Sequence, residues 1–136
     1  MISYTHILPE KEQFFNLFLT TGWNNEYQLT IDQIYEAIQH TWHLVSVYDK
    51  DTLVGFGRII SDGVLHALIV DLIVLPAYQG KGIGSKILTE LVDRCNAFQI
   101  CDIQLFCAKG KSYFYQKFGF AERPSDAPGM QFKKAI

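Results

Sequence analysis

Residues 67–98, ALIVDLIVLPAYQGKGIGSKILTELVDRCNAF, decide how this chain is read. An apolar, β-branched run interrupted only by Asp71 ends in a turn at Pro76. Glycine then stands at every second position, Gly80, Gly82 and Gly84. From Ile83 onward Ile87, Leu88, Leu91, Val92 and Cys95 recur at helical spacing. Strand, glycine loop and helix in that order gather backbone N–H groups and the positive end of a helix dipole at one point. Such a point wants an anion, a phosphate before others.

Outward from that stretch the chain supplies the rest of one sheet and its helices. Residues 3–7 read as a short edge strand ended by Pro9. Pro9 and Glu10 open a helix whose inward face is Phe14, Phe15, Leu17, Phe18 and Leu19, stopped by Gly22. Residues 23–28, WNNEYQ, carry no period and read as a polar, aromatic loop. Thr30 caps a second helix over 31–40, with Ile34, Tyr35 and Ile38 inward. From Trp42 the period is two, so strands over 42–48 and 53–60 form a hairpin about the DKD turn at 49–51. The central strand, 66–75, is apolar enough for burial on both faces. The helix over 82–98 crosses to a parallel strand at 102–107. A last helix covers 111–118 and ends at Gly119, and residues 120–122 and 130–133 are candidate final strands. The order β-α-α-β-β-β-α-β-α-β-β predicts an α+β fold, a mixed sheet with helices on both faces, in a single domain over residues 1–136.

Composition narrows the function classes. A chain of 136 residues buries a core without staples, and 49% hydrophobic against 19% charged residues is ordinary for a compact protein. A net charge of −2 argues against a general nucleic-acid binder. No basic segment leads into an apolar one at the N-terminus, and no apolar run approaches the roughly 20 residues of a membrane helix. Cys95, Cys101 and Cys107 are odd in number and form no C-x-x-C pair, which reads as reduced thiols in a cytoplasmic protein. His40 and His43 stand three apart without a third ligand, so no metal is expected.

Three glycine-loop readings compete. A Walker loop fails because Gly80-Lys81 is followed by glycine rather than Ser or Thr. A Rossmann fingerprint would need glycine where Ser85 stands, and it normally opens its domain, although Asp102 sits where a ribose acid would. The third pattern, Q-x-x-G-x-G, is met by Gln79, Gly82 and Gly84 after a strand ending in Val74-x-Pro76. This loop resembles the pyrophosphate loop of the GNAT superfamily, the acetyl-CoA-dependent N-acetyltransferases. Residues 114–120, FYQKFGF, resemble the family's second signature, and the order of elements is similar to the family's throughout.

The resemblance implies that the central strand splays from its parallel neighbour and that the pantetheine arm of acetyl-CoA enters between them. By position, Leu72, Ile73 and Val74 would lend it their backbone, and the Val74 amide would polarise the thioester carbonyl. The diphosphate would lie on the backbone from Gln79 through Gly80, Lys81, Gly82, Ile83 and Gly84 to Ser85, where alternating glycines keep bulky side chains away. Lys81 and Lys86 flank that loop, and Lys109, Lys111 and Lys117 lie near the other signature.

Amine acetylation needs a neutral amine, a stabilised tetrahedral intermediate and a proton for the departing thiolate. Tyr115 of FYQKFGF matches the family's proton donor, with Lys117 or a helix dipole expected to ease the transfer. For the base, Asp71 is the lone charge in a buried-looking strand; Glu26, His66 or a water relay are alternatives. No covalent intermediate is required, and Cys107 stays open as a nucleophile on residue type alone. Residues 23–27 and 123–129 would build the acceptor pocket, with Trp23 and Tyr27 flanking an amine and Glu26 or Asp126 holding an ammonium. The resulting expectation is an acyltransferase moving acetyl from acetyl-CoA to a primary amine of a small molecule. Its only macromolecular partner would be a second copy in a homodimer, with no nucleic acid and no membrane. The rival is a non-catalytic acyl-CoA-binding or regulatory module of the same fold.

Overall fold

The computed structural model describes residues 1–134. Two compact units divide the chain, Met1–Phe106 and Cys107–Ile136. In the first, β1 (Ile2–Thr5), β2 (His43–Asp49), β3 (Thr52–Ser61), β4 (His66–Val74) and β5 (Asp102–Leu105) form one sheet in that spatial order. All neighbours are antiparallel except β4 and β5, which are parallel and joined through helix α4 (Ile83–Ala97). A mixed α+β sheet of this kind is what the periodicities called for.

Helices cover both faces, and β3 shows how its sequence arranges that. Phe56 points to one side, where its ring meets Phe14 of α1 (Lys11–Leu19) at 4.7 Å. Leu17, Phe18, Leu44, Ile73 and, from α3 (Ile31–Gln39), Ile34 and Ile38 complete that core. Gly55 and Gly57 point to the other side, under α4. A Cβ on Gly57 would stand 2.6 Å from Ile87 Cγ2 and 3.1 Å from Leu91 Cδ1, so only glycine lets α4 lie this close. The α4 stripe of Ile83, Ile87, Leu88, Leu91 and Cys95 is buried there, each large side chain stabilising the fold by about 1.5–3 kcal/mol. Thr30 starts α3 as its residue type predicts: its hydroxyl accepts from Gln33 N–H at 3.2 Å, while Gln33 Oε1 accepts from Thr30 N–H at 2.9 Å.

Some local readings differ from the structure, among them Leu19, placed on the inward face of α1 but 46% exposed. WNNEYQ is not all loop: Asn24–Tyr27 forms a short helix, α2. Its ends are tied by the Asn24 side chain, which donates to Leu29 O and accepts from Leu29 N–H, and Gln28 closes it at φ 54°. The candidate strands at 120–122 and 130–133 are irregular instead. Phe120 N–H turns back to Tyr115 O at 3.3 Å, and Ala127 N–H to Pro124 O closes the next turn. Met130 and Phe132 are both 86% exposed: an alternating pattern becomes a strand only beside a partner, and among the described residues these have none. In the second unit, Ser112–Gln116 forms the short helix α5, and Gly119 follows in the left-handed region at φ 91°.

Candidate functional site

The parallel pairing of β4 with β5 covers only His66–Ile69. Beyond Ile69, β4 runs on to Val74 with β3 on one side and, among the described residues, no strand on the other. Leu75 N–H donates to Val54 O at 2.8 Å, so Leu75 faces β3. Peptide groups alternate sides along a strand, so those of Val74 and Leu72 face the open edge and those of Ile73 face β3. The Val74 carbonyl confirms the direction by accepting from the Gln79 side-chain amide at 3.0 Å. The three backbone positions named from the sequence thus divide: Leu72 and Val74 turn their peptide groups to the open edge, while Ile73 sends its side chain into the α1/α3 core.

The 3-10 turn Pro76–Tyr78 leads from β4 into the glycine loop, and the Tyr78 hydroxyl anchors it by donating to Asp49 Oδ2 at 2.6 Å. That bond is the main reason the Asp49 carboxyl is held below the usual range. Gly80 and Gly82 adopt φ 78° and 84°, a region that side-chain-bearing residues avoid, and a Cβ on either would meet no atom within 4 Å. Space therefore lies open over the loop. Gly82 is the N-cap of α4, and no side chain caps the helix. The ladder starts with Lys86 N–H to Gly82 O at 3.1 Å, which leaves the N–H groups of Ile83, Gly84 and Ser85 before it. Uncapped donors, open space and a fifteen-residue helix dipole fit a diphosphate. The flanking lysines lie against tyrosine rings, with Lys81 Nζ 5.3 Å from the Tyr78 ring centre and Lys86 Nζ 4.1 Å from that of Tyr4 in β1.

Asp71 lies in the middle of β4 at φ 55°. Its Oδ2 accepts from Arg58 Nε at 2.7 Å, and Arg58 Nη1 also donates to Ala37 O and Thr41 Oγ1, each at 3.3 Å. Arg58 is only 8% exposed, and nothing in the apolar reading of its strand marked it as part of the site. Of the other base candidates, Glu26 is exposed on α2. His66 sits at the start of β4, its Nδ1 3.6 Å from Asp102 Oδ2, and that oxygen accepts from Gln104 Nε2 at 2.8 Å. These residues border a cavity of about 370 Å³ floored by Ile60, Ala67 and Leu68. His66 and Val74 are eight positions apart along the strand, about 26 Å at 3.3 Å per residue, so His66 is remote from Val74. Trp23 packs its ring against Phe18 at 5.8 Å, and Tyr27 is exposed.

In the second unit, Tyr115 stands on α5 between Phe114, at 5.1 Å, and Phe120, at 6.3 Å between ring centres. Burial, and secondarily the Cys107 thiol, push its phenol up from its ordinary value. The shift is opposite to the easing expected from Lys117, whose ammonium lies 5.6 Å from the Tyr113 ring instead. Asp126 is exposed, in a turn held by Arg123 Nε donating to Ala127 O at 2.9 Å.

Known proteins share this sequence pattern and fold. The acetyltransferase (GNAT) domain family matches residues 40–122. An uncharacterized N-acetyltransferase, ycf52, of Porphyra purpurea is 33% identical over 98 residues, covering 69% of this chain and 56% of that protein. The chloroplastic GCN5-related N-acetyltransferase 1 of Arabidopsis thaliana is 36% identical, covering 71% of this chain and 50% of its own length. The chain thus spans about half the length of these curated relatives. Among solved structures, a probable acetyltransferase of unknown function from meticillin-resistant Staphylococcus aureus superposes with a TM-score of 0.85 at 29% identity, covering 98% of this chain and 100% of that one.

Proposed function

The chain belongs to the GNAT acetyltransferase family, and from that premise we propose that it moves the acetyl group of acetyl-CoA to a primary amine of a small molecule by direct attack within a ternary complex. One observation carries the reading: the open edge at Leu72 and Val74 runs through a single turn into the uncapped N-terminus of α4. A thioester arm and a diphosphate on one ligand would use both.

In this reading the loop and the N–H groups of Ile83, Gly84 and Ser85 take the diphosphate, and the pantetheine amides pair with Leu72 and Val74 in the manner of an added strand. The Val74 N–H donates to the thioester oxygen and stabilises it as negative charge develops. The amine lone pair attacks the carbonyl carbon, the C–N bond forms, and collapse of the tetrahedral intermediate breaks the C–S bond. Tyr115 gives its proton to the departing thiolate. The proton released by the amine passes to water, and the Tyr115 phenolate takes one back from water before the next turnover. Lys117 and Lys81 add positive charge for the coenzyme's phosphates. Three free thiols fit a reducing compartment, and the proposal places the enzyme in the cytoplasm.

The test is release of coenzyme A from acetyl-CoA over a panel of small amines, amino acids and a lysine peptide, with acetyl-CoA affinity measured in parallel. The proposal expects tight binding and turnover with a small amine. Turnover only with the peptide would overturn the acceptor class. Binding without any turnover would favour the non-catalytic module.

A further inference from the structure

Ile69 and Ile73 are four positions apart on β4 and both buried, yet they lie on opposite faces of the sheet. Ile69 pairs with Ile59, on the α4 face with Gly57, whereas Ile73 pairs with Phe56, on the α1/α3 face. A regular strand would put them on the same face. The difference is a bulge: between the pairs Phe56↔Ile73 and Arg58↔Val70, the single residue Gly57 is opposed by Asp71 and Leu72 together. The bulge also sets the site, because shifting the register by one residue would turn the Ile73 peptide to the open edge and those of Leu72 and Val74 back toward β3.

The residue at the turning point is not glycine. Asp71 takes φ 55°, where a carboxylate side chain is strained, and no other non-glycine residue within a strand does so among the described residues. Its carboxylate is held by Arg58 Nε at 2.7 Å. Arg58 extends from the neighbouring strand, and its Nη1 reaches the C-terminal end of α3 at Ala37 O and the following Thr41 Oγ1. One guanidinium therefore ties together β3, the bulge of β4 and the helix layer above them.

We propose that Asp71 is a positioning residue rather than the general base: paired with Arg58, it locks the bulge that presents the Leu72 and Val74 peptide groups to the open edge. In its link to acyl transfer this rests on the function proposed above, so its test includes a readout that needs no coenzyme. In wild-type protein, amide hydrogen exchange should be slow at Ile73 and faster at Leu72 and Val74. Asp71→Ala should erase that contrast, while Asp71→Gly, which accepts the left-handed backbone, should keep part of it. Arg58→Met/Asp71→Gly removes both charges and so leaves no stranded guanidinium to unfold the chain. It should bind acetyl-CoA roughly tenfold or more weakly than wild type. Asp71→Asn should lower kcat/KM without moving the rising limb of its pH profile. Loss of that limb in Asp71→Asn with unchanged acetyl-CoA affinity would make Asp71 the base and overturn the proposal. An exchange pattern unchanged in Asp71→Ala and in the double variant would overturn it too. If wild-type protein bound no acetyl-CoA, the functional reading would fail, and the exchange comparison would still decide the lock.

Discussion

Replacing Gly82 by valine separates the loop's structural role from its ligand role. Gly82 sits at φ 84° and ψ 3° as the N-cap of α4. Forcing an L-residue into this region costs about 1–2 kcal/mol, and β-branching raises the cost. For a chain of this size each kcal/mol lowers Tm by roughly 3–6 °C. Nothing within 4 Å blocks the new Cβ, so packing adds no further penalty and the fold should survive with a Tm lower by about 5–10 °C. The same side chain would occupy the space a diphosphate needs above Ile83, Gly84 and Ser85. Losing two charge-assisted hydrogen bonds at about 1.5–3 kcal/mol each weakens binding by roughly 10²–10⁴-fold. Calorimetry with acetyl-CoA reads the affinity and a thermal melt reads the fold. S-acetylpantetheine, which lacks the diphosphate, should bind wild type and variant alike. Wild-type affinity for acetyl-CoA in a folded Gly82→Val protein would refute the cradle.

Tyr115→Phe should lower kcat by ~10²-fold or more with little change in acetyl-CoA affinity; unchanged turnover with a cognate amine would remove the proton-donor role. His43 predicts an acid-side loss of stability. Burial first, then Arg94 and His6, lower its pKa from 6.5 to about 4. A folded value below the unfolded one means that its contribution is whole above about pH 6.5 and is lost as pH falls toward about 4. Wild-type Tm should therefore fall more steeply than that of His43→Phe across this window in parallel melts, and equal slopes would show that His43 contributes nothing.

The sheet, the crossover helix and the glycine loop were legible because their signals are local: a period of two, a period of 3.6, and glycines that no other constraint explains. Arg58 escaped because its meaning is pairwise. It is a lone cation in LVGFGRII, as Asp71 is a lone anion in ALIVDLIV, and two opposite charges in adjacent apolar strands were a signal available to sequence reading. The bulge was not available, since strand periodicity assumes one residue opposite one and Ile73 gives no sign of having changed face. Gln79 was placed correctly in the loop, but its hold on the Val74 carbonyl depends on a side-chain direction that spacing does not encode. The tail failed for the converse reason: the alternation M-Q-F-K from Met130 to Lys133 resembles a strand, but pairing is a property of two segments.

A bare strand edge is also a hazard, because its unpaired peptide groups are a template for other chains. The open part of β4 from Val70 to Val74 is such an edge, set in an otherwise apolar sequence. It is short, it is bent by the bulge, and it carries a carboxylate at Asp71, three features that discourage a foreign strand from zipping onto it. The kink that would present this edge to a coenzyme under the proposed function therefore also makes it a poor seed for aggregation.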